Sequence, residues 1–123
     1  MPRLPLLLTA TLAAGCGSSL ATRYETGNQA LSDGDGAMYF VMISPRLQLA
    51  LNECIPKGTP GASPVLVLVA DVDAGGNATN LDIEPDTPGT DCVAQRLTER
   101  PLPKPPLRAG AATFPIGLRI ETR

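Results

Sequence analysis

The sequence predicts an α+β fold in the order α-β-β-α-β, and three observations carry that prediction. Apolar residues recur at three-to-four-residue spacing between Ala37 and Cys54. Two apolar runs flank a turn-forming segment, Asp73-Ala74-Gly75-Gly76-Asn77. A third run, from Phe114 nearly to the C-terminus, alternates apolar with polar side chains.

Residues 1–15 precede the domain and read as a signal peptide. One basic residue, Arg3, is followed by an apolar run from Leu4 to Ala14 that is too short to span a bilayer. Leu12-Ala13-Ala14-Gly15-Cys16 resembles the lipobox of bacterial lipoproteins. The resemblance implies cleavage before Cys16 and acylation of its thiol and new amino terminus, palmitate among the chains. Each buried methylene contributes about 0.8 kcal/mol, so several chains anchor stably where one does not. Gly17 and Ser18 follow with no Asp beside the cysteine, and the expected address is the cell envelope, at the outer membrane facing the periplasm. Residues 16–36 are mostly small or polar and read as a flexible tether, with a reach of about 25 Å.

Residues 37–123 form the predicted domain. Its first helix, Ala37 to Cys54, presents Phe40, Ile43, Leu47, Ala50, Leu51 and Cys54 on one face. Pro45 either kinks this helix or, with Ser44 as its cap, starts a shorter one and leaves Tyr39 to Ile43 as a strand. After a loop through Pro56, Gly58, Pro60 and Gly61, Val65 to Val72 is apolar on both faces, as a middle strand must be. Past the turn, Thr79, Leu81 and Ile83 alternate with Asn80 and Asp82 to complete a hairpin. Thr90 or Asp91 caps a short helix to about Thr98 that points Val93 and Leu97 inward. Pro101, Pro103, Pro105 and Pro106 make an extended, polyproline-like connector. In the last strand Pro115 has no N–H to pair, which assigns that strand to a sheet edge.

Composition narrows the function. Twelve acidic residues against ten basic ones give a formal charge of −2, leaving no basic field for nucleic acid. The basic residues Arg46, Arg96, Arg100, Lys104, Arg108 and Arg119 are interleaved with acids and read as a solvated surface. Aromatic content of 3% without Trp makes the core aliphatic, and a small aliphatic core benefits from a covalent staple. With Cys16 lipidated, Cys54 and Cys92 remain, and an oxidising envelope allows them one pairing. A bridge closing a loop of about 40 residues stabilises by roughly 4 kcal/mol through loop entropy.

No catalytic constellation is legible. The chain has no His, which removes the commonest general base and transition-metal ligand. Ser44 and Ser63 lie beside prolines with no base or Gly-rich elbow, and the cysteine spacing is unlike that of redox or zinc sites. Asp71, Asp73, Gly76 and Asp82 echo a calcium loop, but Gly75 stands at a ligand place and the flanks are strand-like, so a tight hairpin turn is expected. Asn77-Ala78-Thr79 matches a glycosylation sequon by spacing alone. The expectation is a protein that is not an enzyme, with no cofactor, metal, nucleic acid or small-molecule substrate.

The order of elements, with Val65 to Ile83 around its turn, Cys92 to Pro106, and Phe114 to Ile120, resembles a TonB C-terminal domain. The resemblance implies two helices packed on a three-stranded antiparallel sheet. It also implies a habit of binding peptides or partner proteins by strand addition at the last strand, here Ile116, Gly117, Leu118, Arg119, Ile120 and Glu121. With Cys54 ending one helix and Cys92 starting the other, their bridge would clamp both helices to one side of the sheet. The expected function is a lipid-anchored periplasmic protein-binding or scaffolding module, the alternative being a structural or accessory envelope lipoprotein without a discrete binding site.

Overall fold

Ser19 opens the structure, a computed structural model that describes residues 19–122; the segment expected to be a signal peptide, residues 1–15, and Cys16 lie outside the described residues. The Ser19 hydroxyl oxygen accepts from the Thr22 amide at 3.1 Å, satisfying one of the donors a helix start leaves unpaired. Helix α1 then runs Leu20–Ala30. From Ser19 onward this corrects the flexible-tether reading of residues 16–36, whose first three residues lie outside the described ones. Leu20, Tyr24, Gly27 and Leu31 fall at helical spacing, and the buried member in the middle of that series is a glycine, which carries no hydrophobic signal.

Helix α2 follows after three residues and spans Gly34–Cys54, three residues earlier than expected and unbroken at Pro45. The alternative, a strand over Tyr39 to Ile43, does not form. Pro45 withdraws one backbone donor from the helix, while the Ser44 hydroxyl donates to the Phe40 carbonyl at 2.7 Å. Tyr39, Ile43, Leu47 and Ala50 are buried. Phe40, expected inside, is 42% exposed, and Tyr39 holds the inner position instead. The reason is chemical: the Tyr39 hydroxyl donates to the Pro103 carbonyl at 2.7 Å, and its ring meets Phe114 edge-on with centroids 5.4 Å apart.

Strands β1 (Val65–Asp73), β2 (Ala78–Glu84) and β3 (Thr113–Glu121) form an antiparallel sheet in the order β2-β1-β3. β1 is thus the middle strand and β3 an edge, as the apolar run and Pro115 require. Leu68 pairs with Leu118 and Val69 with Gly117, which fixes the facing of every residue around them. Leu66, Leu68, Ala70 and Val72 join Ile116 and Leu118 in one aliphatic core with the inner face of α2 and with Val93 and Leu97 of helix α3 (Pro88–Glu99). Val69, also 1% exposed, points to the opposite face, where α1 covers it.

Among the described residues the fold is therefore α+β, with three helices on two faces of a three-stranded antiparallel sheet. Two of them, α2 and α3, share one face and are joined by the Cys54–Cys92 disulfide, whose Cα atoms lie 5.6 Å apart across 38 residues of sequence. Thr87 and Thr90 cap α3 reciprocally, each side chain accepting from the other's backbone amide. The hairpin turn is held by Asp73, whose Oδ1 accepts the Gly75 and Asn77 amides at 2.9 Å each. Those bonds, Asn77's foremost, hold its carboxyl below the usual range, so the turn uses the oxygens that a cation would need. Beyond α3, Leu102 donates from its amide to Gly76 O at 2.8 Å, tying the proline-rich connector to this turn.

Burial pushes the Tyr39 phenol up to about 12, above its ordinary value of about 10. A raised folded pKa means that this stabilising contribution is complete below about pH 10 and is lost as pH rises through 12. Tyr39→Phe should cost about 1 kcal/mol at neutral pH, since the Pro103 carbonyl loses its donor, and should flatten the decline in stability between pH 10 and 12. Urea unfolding midpoints of both proteins across that range check it.

Candidate functional site

The outer edge of β3 is divided into two parts by α1. The helix lies across the middle of the strand at a glycine–glycine contact: a Cβ on Gly27 would sit 2.2 Å from the Ile116 carbonyl carbon, and one on Gly117 would sit 2.4 Å from the Tyr24 carbonyl oxygen. Any larger residue at either position would force the two backbones apart. Asn28 Nδ2 donates to the Gly117 carbonyl at 3.3 Å, so this edge acceptor is used within the chain. At the other end of the helix Arg23 donates to the Asn80 carbonyl and approaches Asp71 at 3.9 Å, which fastens α1 to the bulge where β1 and β2 slip register.

Hydrogen-bond alternation decides which edge groups point outward. The Gly117 carbonyl faces out to Asn28, and the Thr122 amide faces in to Pro64 O at 3.0 Å. In an antiparallel ladder this parity sets Leu118 and Ile120 toward β1, and Arg119 and Glu121 outward. Arg119 and Glu121 thus present their N–H and C=O groups beyond the sheet, and both side chains are exposed. The two are 3.8 Å apart, an exposed pair that contributes little to stability.

These outward groups line a groove of about 390 Å³ between β3 and α2. Leu31, Leu47 and Leu118 form its apolar floor; Asn28 and Ser32 stand on one wall and Phe40 and Gln48 on the other. Phe40, displaced from the core, gives this site its one exposed aromatic ring. Of the six residues expected to bind a partner, the structure brings Leu118 to Glu121 to the groove, while Ile116 and Gly117 lie under α1. Cys54 and Cys92 are bridged behind the site, and Cys16 lies outside the described residues. Sequence reasoning missed the helical walls. Tyr24 and Asn28 sit one turn apart in a segment whose only start signal is Ser19, and Phe40 is indistinguishable by type from a core residue.

Among the described residues, no group of three or more His, Cys, Asp or Glu converges as metal ligands, and no helix is long and apolar enough to cross a membrane. No protein-family model matches this chain, and neither a curated protein nor a solved structure shows detectable similarity to it.

The glycine contact should govern the site. Gly27→Ala and Gly117→Ala should each cost about 1–3 kcal/mol, and the double variant less than their sum, because either one alone lifts α1 from β3. Denaturant midpoints of the three variants test this; strict additivity would show that the two glycines do not share one contact.

Proposed function

We propose that this chain is a lipid-anchored envelope lipoprotein whose TonB C-terminal-like domain binds or scaffolds partner proteins, without catalysis, from the periplasmic side of the outer membrane. The observation that carries the reading is the outward-facing backbone of Arg119 and Glu121, set in a groove with an apolar floor and an exposed Phe40 on its wall. Strand addition needs those elements: unpaired main-chain groups to give affinity and pockets for alternate side chains to give selectivity. A middle hairpin, a crossing helix and an edge strand at the C-terminus support the likeness to TonB domains, and the lipobox-like Leu12 to Cys16 supports the anchor.

The second reading, a structural or accessory lipoprotein without a discrete site, is favoured by one observation. α1 covers Ile116 and Gly117 and so shortens the pairable edge to about Leu118 to Glu121.

A photo-crosslinking residue placed at Arg119 in intact bacterial envelope, with Asp82 on the opposite sheet edge as the comparison, separates the two. The expected result is a discrete adduct at Arg119, absent at Asp82 and abolished by Glu121→Pro, which removes an outward N–H. The intact mass of the same membrane-recovered protein should show cleavage before Cys16 and added acyl chains. Equal or absent adducts at both edges would leave the structural reading, and an unacylated mass would remove the anchor.

A further inference from the structure

We propose that the partner segment at the β3 edge is, in one state of the protein, the same segment of a second copy, paired antiparallel about a two-fold axis at Ile120. This rests on the reading of β3 as a pairing edge and names an occupant for it. The outward-facing residues of the open edge are Arg119 and Glu121, so a second strand can bond only in registers that place these positions opposite one another.

Three such registers exist for two copies of this edge. Centring the axis on Arg119 sets two guanidinium groups face to face. A centre at Glu121 does the same with two carboxylates. Only a centre at Ile120 sets Arg119 of each copy against Glu121 of the other, twice, with both outward N–H and C=O groups of each residue exchanged. Opposite charges directly across a ladder are favourable and like charges unfavourable, so the charge pattern selects one register of the three. Charged residues commonly blunt an edge strand against association. Here the two charges have opposite sign and are two residues apart, which makes the edge self-complementary.

The same register suits the groove. It pairs the half-buried Ile120 with its counterpart at a non-hydrogen-bonded position, where Cα atoms approach to about 4.5 Å, on the face where Phe40 lines the groove wall. α1 limits the pairing on one side, because the Gly117 carbonyl already accepts from Asn28. The result is a six-stranded sheet continuous through two copies, closed by its own symmetry.

The test is a charge cycle on the full chain, read by sedimentation. The unaltered protein should show a concentration-dependent dimer. R119E and E121R should each weaken dimerisation by roughly tenfold or more. The exchanged variant R119E/E121R should recover it, and an equimolar mixture of the two single variants should form a heterodimer. Ile120→Cys should cross-link to itself on mild oxidation, and Asp82→Cys, on the other edge, should not. A monomer at all concentrations, or a dimer indifferent to both reversals, would overturn the proposal; so would a dimer lost in R119E/E121R, because the Ile120-centred register keeps both opposite-charge pairs in that variant. Should self-pairing fail while Arg119 still photo-crosslinks to a different protein in the envelope, strand addition stands and only the identity of the occupant falls.

Discussion

The close approach of Gly27 to Gly117 is the constraint on which the two-sided architecture depends. With a Cβ at either position, α1 could not lie against the β3 backbone, and Val69 would face water on the middle strand. Because the contact exists, β1 is buried on both faces at its centre, and the open edge of β3 is cut to its C-terminal third. A backbone-to-backbone contact of this kind needs no large side chain, which suits a chain with 3% aromatic residues.

The two faces of the sheet are secured by different physics. On one, α2 and α3 contribute a continuous aliphatic core, tied by a disulfide that closes 38 residues. Loop entropy alone makes that staple worth roughly 4 kcal/mol. On the other face α1 has little apolar area to offer. It is positioned by the glycine contact, by Arg23 at the β-bulge and by Asn28 on the Gly117 carbonyl. Polar groups with defined partners thus set the orientation of the helix that a small hydrophobic face could not specify alone.

Much of the sheet was legible in the sequence because its signals are local. The apolar run at Val65 to Val72, the Asp-Gly-rich turn and the donorless Pro115 each state a physical requirement that the structure meets, and the two cysteines remaining after Cys16 are bridged as expected. α1 was not legible, because the buried surface at its centre is the absence of a side chain. The orientation of α2 was half legible. Helical spacing identifies a stripe but cannot choose between Tyr39 and Phe40, and the choice rests on a hydroxyl that finds Pro103, 64 residues away in sequence. The groove inherits both omissions: one wall belongs to the unforeseen helix and the other carries the ring that the core did not take.

Ser19 caps α1 only three residues after Cys16. Three residues, even fully extended, span no more than about 11 Å. On the proposed anchor, the domain would therefore ride flush with the lipid headgroups instead of floating a tether's length above them. It would present one fixed pole, the start of α1, to the bilayer. Rotation about the membrane normal would remain free, whereas tumbling would not. Two copies diffusing in one leaflet would then meet at nearly constant height and tilt, so an encounter between their sheet edges would be a search in two dimensions.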